Sequence, residues 1–392
     1  MKRVLLAGLG LVAASLLPAS SHAQGTVKIG LILPYSGQFA DTATQIDDGI
    51  KLYLKEHGNK LGGMNVEIVR KDVGGINPPV AKRLAEELIT RDNVDILAGF
   101  ALTPNALAAA EVSAQGKKFM VVMNAATAII TTKSPYLART SFTVPQVNET
   151  LATWAATQGD KSAYTMVTDY GPGIDAETSF QKAFSAAGGK VLGSVRMAVQ
   201  NPDFTAYVQR AKDLSPQSIF VMIPGGSQPG AFGKALAERG IDPKKTEVLG
   251  QAEIADEHAL ASMGDVAEGI ITSGNYDYNL DNPLNKSFVK TYNADYSRNP
   301  DFFSVGGYDG THLIDLALTK DGGRTDGDSL IAAAKGASWD SPRGPMSIDP
   351  QTRDVIQTVY IRKVEKVDGK LVNVTIASFP NVKDPFKAAM NK

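Results

Sequence analysis

Apart from His22, the chain has three histidines, His57, His258 and His312, and they stand far apart. It has no cysteine. Neither an H-E-x-x-H helix nor a Cys/His cluster occurs, so no side chains show metal-ligand spacing. A hydrolase elbow needs G-x-S-x-G, and the nearest match, Gly225-Gly226-Ser227-Gln228-Pro229, fails at its last place. Gly171-Pro172-Gly173-Ile174-Asp175-Ala176 fits G-x-G-x-x-A. A dinucleotide site aims backbone N–H groups at the pyrophosphate, and Pro172 removes one. It also places an acid about 20 positions on for the ribose. Residues 191–197 offer Arg196 but no acid. No catalytic residue, metal or cofactor is therefore assigned. The chemistry left is non-covalent capture by hydroxyls, amides, carboxyls and backbone N–H groups at loops.

Lys2 and Arg3 precede an uncharged apolar run, residues 4–17, that Pro18 breaks; Ser21 and Ala23 supply small residues before an expected cut. This is the three-part pattern of an export leader. The run has 14 residues, and crossing a bilayer takes about 20. The mature chain, from about Gln24, is expected to be soluble and, lacking cysteine, to carry no lipid anchor. About 370 residues bury enough surface without disulfides and predict roughly two domains. A formal net charge of −1 gives no bulk field toward nucleic acid or an acidic membrane.

Residues 27–33 read as a buried strand ended by Pro34. Residues 41–57 put Ile46, Ile50, Tyr53 and Leu54 on one helical face, with Gly58 as a stop. Further strands follow at 64–69, 94–98 and 119–123, with helices at 78–91 and 103–115 between them. The order then starts again, with strands at 162–168, 190–197, 217–223 and 246–249 and helices at 173–187, 204–214 and 228–239. Such alternation means a parallel, doubly wound sheet, and its recurrence predicts two similar lobes. An extended stretch at 139–145 marks the seam, and 270–275 a return. Helices at 282–297, 308–320 and 329–335 follow, then a break at Gly344-Pro345, then a hairpin of 355–364 and 371–377 around Asp368-Gly369-Lys370. We expect an α/β fold of two doubly wound parallel-sheet lobes joined by a multi-strand hinge. Residues 1–23 are the leader, 24–143 plus 274–345 the first lobe, and 144–273 plus 346–392 the second.

Six pieces of sequence lie in a familiar order: Lys28-Ile-Gly-Leu-Ile-Leu-Pro-Tyr-Ser-Gly37, Asp48-Gly49-Ile50, Leu61-Gly-Gly63, Asp92-Asn-Val-Asp-Ile-Leu-Ala-Gly99, Thr168-Asp-Tyr-Gly171 and Gly306-Gly-Tyr-Asp-Gly310. With them the chain resembles the type I periplasmic binding proteins of the branched-chain and hydrophobic amino acid group, over nearly its whole mature length. The resemblance implies a non-enzymatic periplasmic protein that closes on a small organic carboxylate, amino acid or aromatic acid, and delivers it to the membrane subunits of an ABC importer. A monomer is expected, since a clamp needs freedom to open. Sensor domains share this fold but carry a membrane helix. This chain ends about 15 residues after its last predicted strand, which reads as free-standing.

In open parallel sheets, ligands bind beyond the carboxyl ends of the strands, where helix N-termini present unpaired N–H groups. The loops so placed carry Tyr35 and Ser36, then Phe100 with Thr103, then Ala125, Ala126 and Thr127. Thr103 suits a helix N-cap and Pro104 a first helical residue. The resemblance puts the ligand carboxylate on Thr103 and on the loop at Ala125 to Thr127, and makes Tyr170 an aromatic lid. Where the family has consecutive serines this chain has Thr103-Pro104-Asn105, a departure that speaks against a standard amino acid; an aromatic acid is slightly favoured. Ser227 either caps a helix or reaches the cleft. Either Glu253 or Ala252 occupies the position that takes the ammonium in amino-acid binders; with Ala252 there, the pocket would lack an ammonium partner and suit an aromatic or hydroxylated acid. Tyr276 lines the cleft or packs in the hinge.

Overall fold

The computed structural model describes residues 25–390, so the expected leader lies outside the described residues. The first sheet has six strands, in the order Lys60–Leu61, Met64–Asp72, Thr26–Leu33, Ile96–Gly99, Phe119–Val122 and Leu137–Arg139. All its pairings are parallel except the short hairpin at Lys60–Leu61. The second sheet runs in parallel from Lys190–Met197 through Ser162–Thr168, Ser218–Met222 and Glu247–Gln251 to Ile271–Gly274. Beyond that it turns antiparallel, as Val355–Val367 joins Ile271–Gly274 and itself pairs with Lys370–Val382 and Gly344–Ile348. The expected pair of α/β lobes is present. The expected late hairpin forms the antiparallel end of the second sheet, and the short strands Ser338–Ser341 and Gly344–Ile348 add to it, the second running through the expected break at Gly344-Pro345.

The later helices return to the first lobe. Phe302–Lys320 lies on Ala40–Glu56 so closely that a Cβ on Gly49 would fall 1.9 Å from the Ser304 carbonyl oxygen, and one on Gly307 2.0 Å from that of Ile46. Only glycine allows backbones to approach like this. One helix, Val144–Gln158, stands where the sequence reading has only an extended stretch ending at Pro145. The Thr143 hydroxyl accepts from Gln146 N and the Gln146 side chain accepts from Thr143 N, a complete capping box. Pro145 then sits in the first turn, where its missing N–H costs nothing.

The crossings between lobes meet at one carbonyl. Ser141 O accepts from Asn275 Nδ2 at 3.0 Å, Arg343 Nη1 at 3.1 Å and Gln357 Nε2 at 2.9 Å. Beside it Arg139, 0 % exposed, pairs with Asp354 at 2.6 Å, and Lys387 reaches the other oxygen of the same carboxylate. Burial of Lys387 and the nearby Arg139 charge push the Lys387 pKa down.

Candidate functional site

A small cavity lies between the carboxyl ends of the two sheets. The first lobe supplies Phe39 and Thr42, Ala101 to Thr103, Asn124 to Ala126, and Phe303 from the first turn of Phe302–Lys320. The second supplies Val144, Tyr170, Pro172, Met222, Pro224, Gly225, Gln251 and Glu253. The walls are mainly rings and aliphatic chains, and none of these lining residues is basic.

The geometry begins at the end of Ile96–Gly99. Gly99 has φ +102° and Phe100 φ +63°. The left-handed region is costly for a bulky residue. Phe100 is held there because its N–H donates to Ile32 O at 3.0 Å and its carbonyl accepts from Ala125 N at 2.9 Å. The twist buries the Phe100 ring in a core shared with Leu84, Leu97 and Met120, while the next three residues line the cavity.

Thr103 is the first residue of helix Thr103–Gly116 rather than its cap. Leu102 occupies the cap and has no side chain able to accept there. The Thr103 hydroxyl instead accepts from Thr127 Oγ1 at 3.1 Å. Thr103, the first residue of a 14-residue helix whose cap has no side-chain acceptor, thus lines the cavity at the positive end of the helix dipole. A carboxylate fits that end.

Across the cavity, Ala252 points at Gly274, where a Cβ would lie 2.7 Å from its own. Glu253 therefore lines the cavity and Ala252 does not. Burial, with a smaller contribution from the Asp256 charge, pushes the Glu253 carboxyl up to about 8. Burial, and then Glu253, raise the Tyr170 phenol well above its ordinary value.

The lobes are shut. Asp175 accepts from Ala128 N at 2.8 Å, and a Cβ on Gly171 would lie 3.2 Å from Thr127 Oγ1. On the other flank a Cβ on Gly226 would lie 2.3 Å from Gln38 O.

Of the residues singled out from sequence, Thr103, Ala125, Ala126, Tyr170 and Glu253 meet in the cavity wall. Thr127 stands behind Thr103, and Phe100 shapes the loop through its backbone. Tyr35 is half-buried beside the Arg70–Asp47 ion pair, and burial raises its phenol. Ser36 is exposed next to Asp72. Ser227 is exposed and makes no cap bond. Tyr276 is packing: its hydroxyl donates to Asn285 Oδ1 at 2.7 Å and its ring meets Phe288 edge-on. Thr42, Val144, Pro172, Met222 and Phe303 line the cavity but escape the sequence reading. The Phe302-Phe303 pair behind a capping Asp301 was the one available signal for the last. Among the described residues no cluster could hold a metal ion, and no helix is long and apolar enough to cross a membrane.

Known proteins match this chain over nearly its whole length. Leu/Ile/Val-binding protein homolog 6 of Brucella abortus is 40% identical over 389 residues, covering 98% of this chain and 99% of its own. A solute-binding protein of an ABC transporter from Rhodopseudomonas palustris BisB5, solved with 3,4-dihydroxybenzoic acid, is 48% identical with a TM-score of 0.89, over 92% of this chain and 99% of that one. Another from R. palustris, solved with 4-hydroxybenzoate, is 41% identical with a TM-score of 0.89 and the same coverage. The profile described as periplasmic binding protein matches residues 26–370. The chain belongs to the periplasmic binding protein family.

Proposed function

We propose that this protein captures a small aromatic carboxylic acid between its lobes and hands it to the membrane subunits of an ABC importer. One observation carries the ligand class. The cavity is walled by Phe39, Phe303, Tyr170, Met222, Leu102 and Val144, has no basic lining residue, and is bordered by an uncapped helix N-terminus at Thr103. Such a site takes a carboxylate on N–H dipoles and a flat ring against apolar walls. The relatives solved with dihydroxybenzoic acid and 4-hydroxybenzoate support it.

A branched-chain amino acid is the second reading, favoured by the relatives' Leu/Ile/Val name and by the carboxyl of Glu253. Burial pushes that carboxyl up to about 8, so an ammonium would have to hold it ionised against that burial. The aromatic acid needs no such step.

The working protein is a periplasmic monomer, released from its leader near Ala23 and free of lipid, with no affinity for nucleic acid. Residues 24–143 plus 274–345 and residues 144–273 plus 346–392 move as two lobes about the crossings at Ser141. A thermal-shift panel of benzoates and free amino acids tests the ligand class. Aromatic acids should raise the melting temperature, since a ligand stabilises the native state by mass action. A rise with leucine, isoleucine or valine alone would favour the second reading.

A further inference from the structure

Gln251 and Glu253 stand where the strand Glu247–Gln251 gives way to the turn Ala252–Ala255. Both line the cavity. Gln251 is 1 % exposed, yet its Nε2 has no hydrogen-bond partner. Glu253 is 8 % exposed, and neither a hydrogen bond nor a cation holds its carboxyl. Buried polar groups are normally satisfied, and an unmade buried donor is costly. Gln251 Nε2 is such a donor, and Glu253 stands two residues further on along the same cavity wall.

The geometry narrows which ligand group would meet the pair. On the aromatic-acid reading the ligand carboxylate goes to the uncapped helix end by Thr103. An unsubstituted ring edge offers neither donor nor acceptor. An ammonium offers donors only, so the Gln251 N–H would stay unmet. A hydroxyl does both jobs: its oxygen accepts from Gln251 Nε2 and its proton goes to Glu253. If Glu253 is protonated the same oxygen can accept from it instead, so the match survives either state. We infer that Gln251 and Glu253 together read a phenolic hydroxyl on the ring of the bound acid, which makes hydroxylated benzoates rather than benzoate the substrate class. This rests on the aromatic-acid reading above. The pair acts by selectivity, because a site built to bond a hydroxyl rejects the analogue that lacks it.

Calorimetric titration of the full mature protein with benzoate and with 2-, 3- and 4-hydroxybenzoate tests the inference. The native protein should bind at least one hydroxy isomer about tenfold or more tighter than benzoate. Gln251→Leu and the milder Glu253→Gln should each cut that ratio severalfold. Benzoate binding as tightly as every isomer would overturn the inference while leaving the aromatic-acid reading intact. An unchanged ratio in both variants would do the same, as would an equal loss for benzoate and the hydroxy isomers, which would put the pair on the carboxylate. If no aromatic acid binds the native protein, both readings fall.

Discussion

His258 Nδ1 on the second lobe lies 3.0 Å from Asp41 Oδ2 on the first, so a titratable pair joins the lobes outside the cavity. Arg298 of the first lobe shares Asp41, at 3.6 Å, and holds Asp48 at 2.7 Å. Buried Asp301 and Asp256 face the same imidazole. Burial opposes the His258 charge, but the Asp41 hydrogen bond and the Asp301 field outweigh it and raise the pKa. Burial likewise opposes ionised Asp41, but its bond to His258 and the His258 charge lower its pKa.

The sign follows from the upward shift. Closed-state stabilisation from His258 is complete below the ordinary imidazole range and is lost as pH rises through the raised value. Ligand affinity should therefore weaken across that window. The pair is partly exposed, so we expect about 0.5–1 kcal/mol, or up to about fivefold in Kd. Dissociation constants at about pH 6 and about pH 9, for the native protein and His258→Gln, check this. Glu253 titrates in both proteins, so the difference between them reads His258. Identical profiles would remove the pair from closure.

Gly226 has φ +84°, and its missing Cβ leaves space for Gln38 O of the opposite lobe. Gly226→Ala should hold the lobes apart and weaken binding by at least about tenfold, or 1.4 kcal/mol. Small-angle scattering should show no compaction on adding ligand.

Thr103→Val keeps the shape and deletes the hydroxyl at the anion end of the cavity. We expect a loss of about 1–2 kcal/mol in binding, read by calorimetry. Tyr276→Phe is the contrast: it breaks the bond to Asn285, should lower stability by about 1 kcal/mol, and should leave affinity unchanged.

Asp354→Asn strips the hinge of the carboxylate shared by buried Arg139 and Lys387. An uncompensated buried charge costs about 3–5 kcal/mol. Thermal unfolding should show a drop of several degrees or more.

The alternation of strands and helices was legible because Gly and Pro bound each apolar run. The strands at Ser162–Thr168 and Lys190–Met197 and the helices Phe204–Leu214 and Gln228–Arg239 fall where their periodicity predicts. The helix Val144–Gln158 was hidden because a proline reads as the end of an extended stretch, while the capping box at Thr143 and Gln146 makes it a helix start. In the site, the loops were legible and the side-chain directions were not. Phe100 turns its ring away through a left-handed backbone that no sequence pattern marks. Ser227 points to solvent, while Gly225 two residues earlier lines the cavity. The choice between Ala252 and Glu253 depended on strand-end register, which Gly274 settles by leaving room for Ala252.

Calorimetric titration of the mature protein with 4-hydroxybenzoate and with leucine, side by side, tests the ligand class most directly. We expect saturable one-to-one heat with the aromatic acid and none with leucine. Tight binding of leucine with no heat from 4-hydroxybenzoate or benzoate would contradict it.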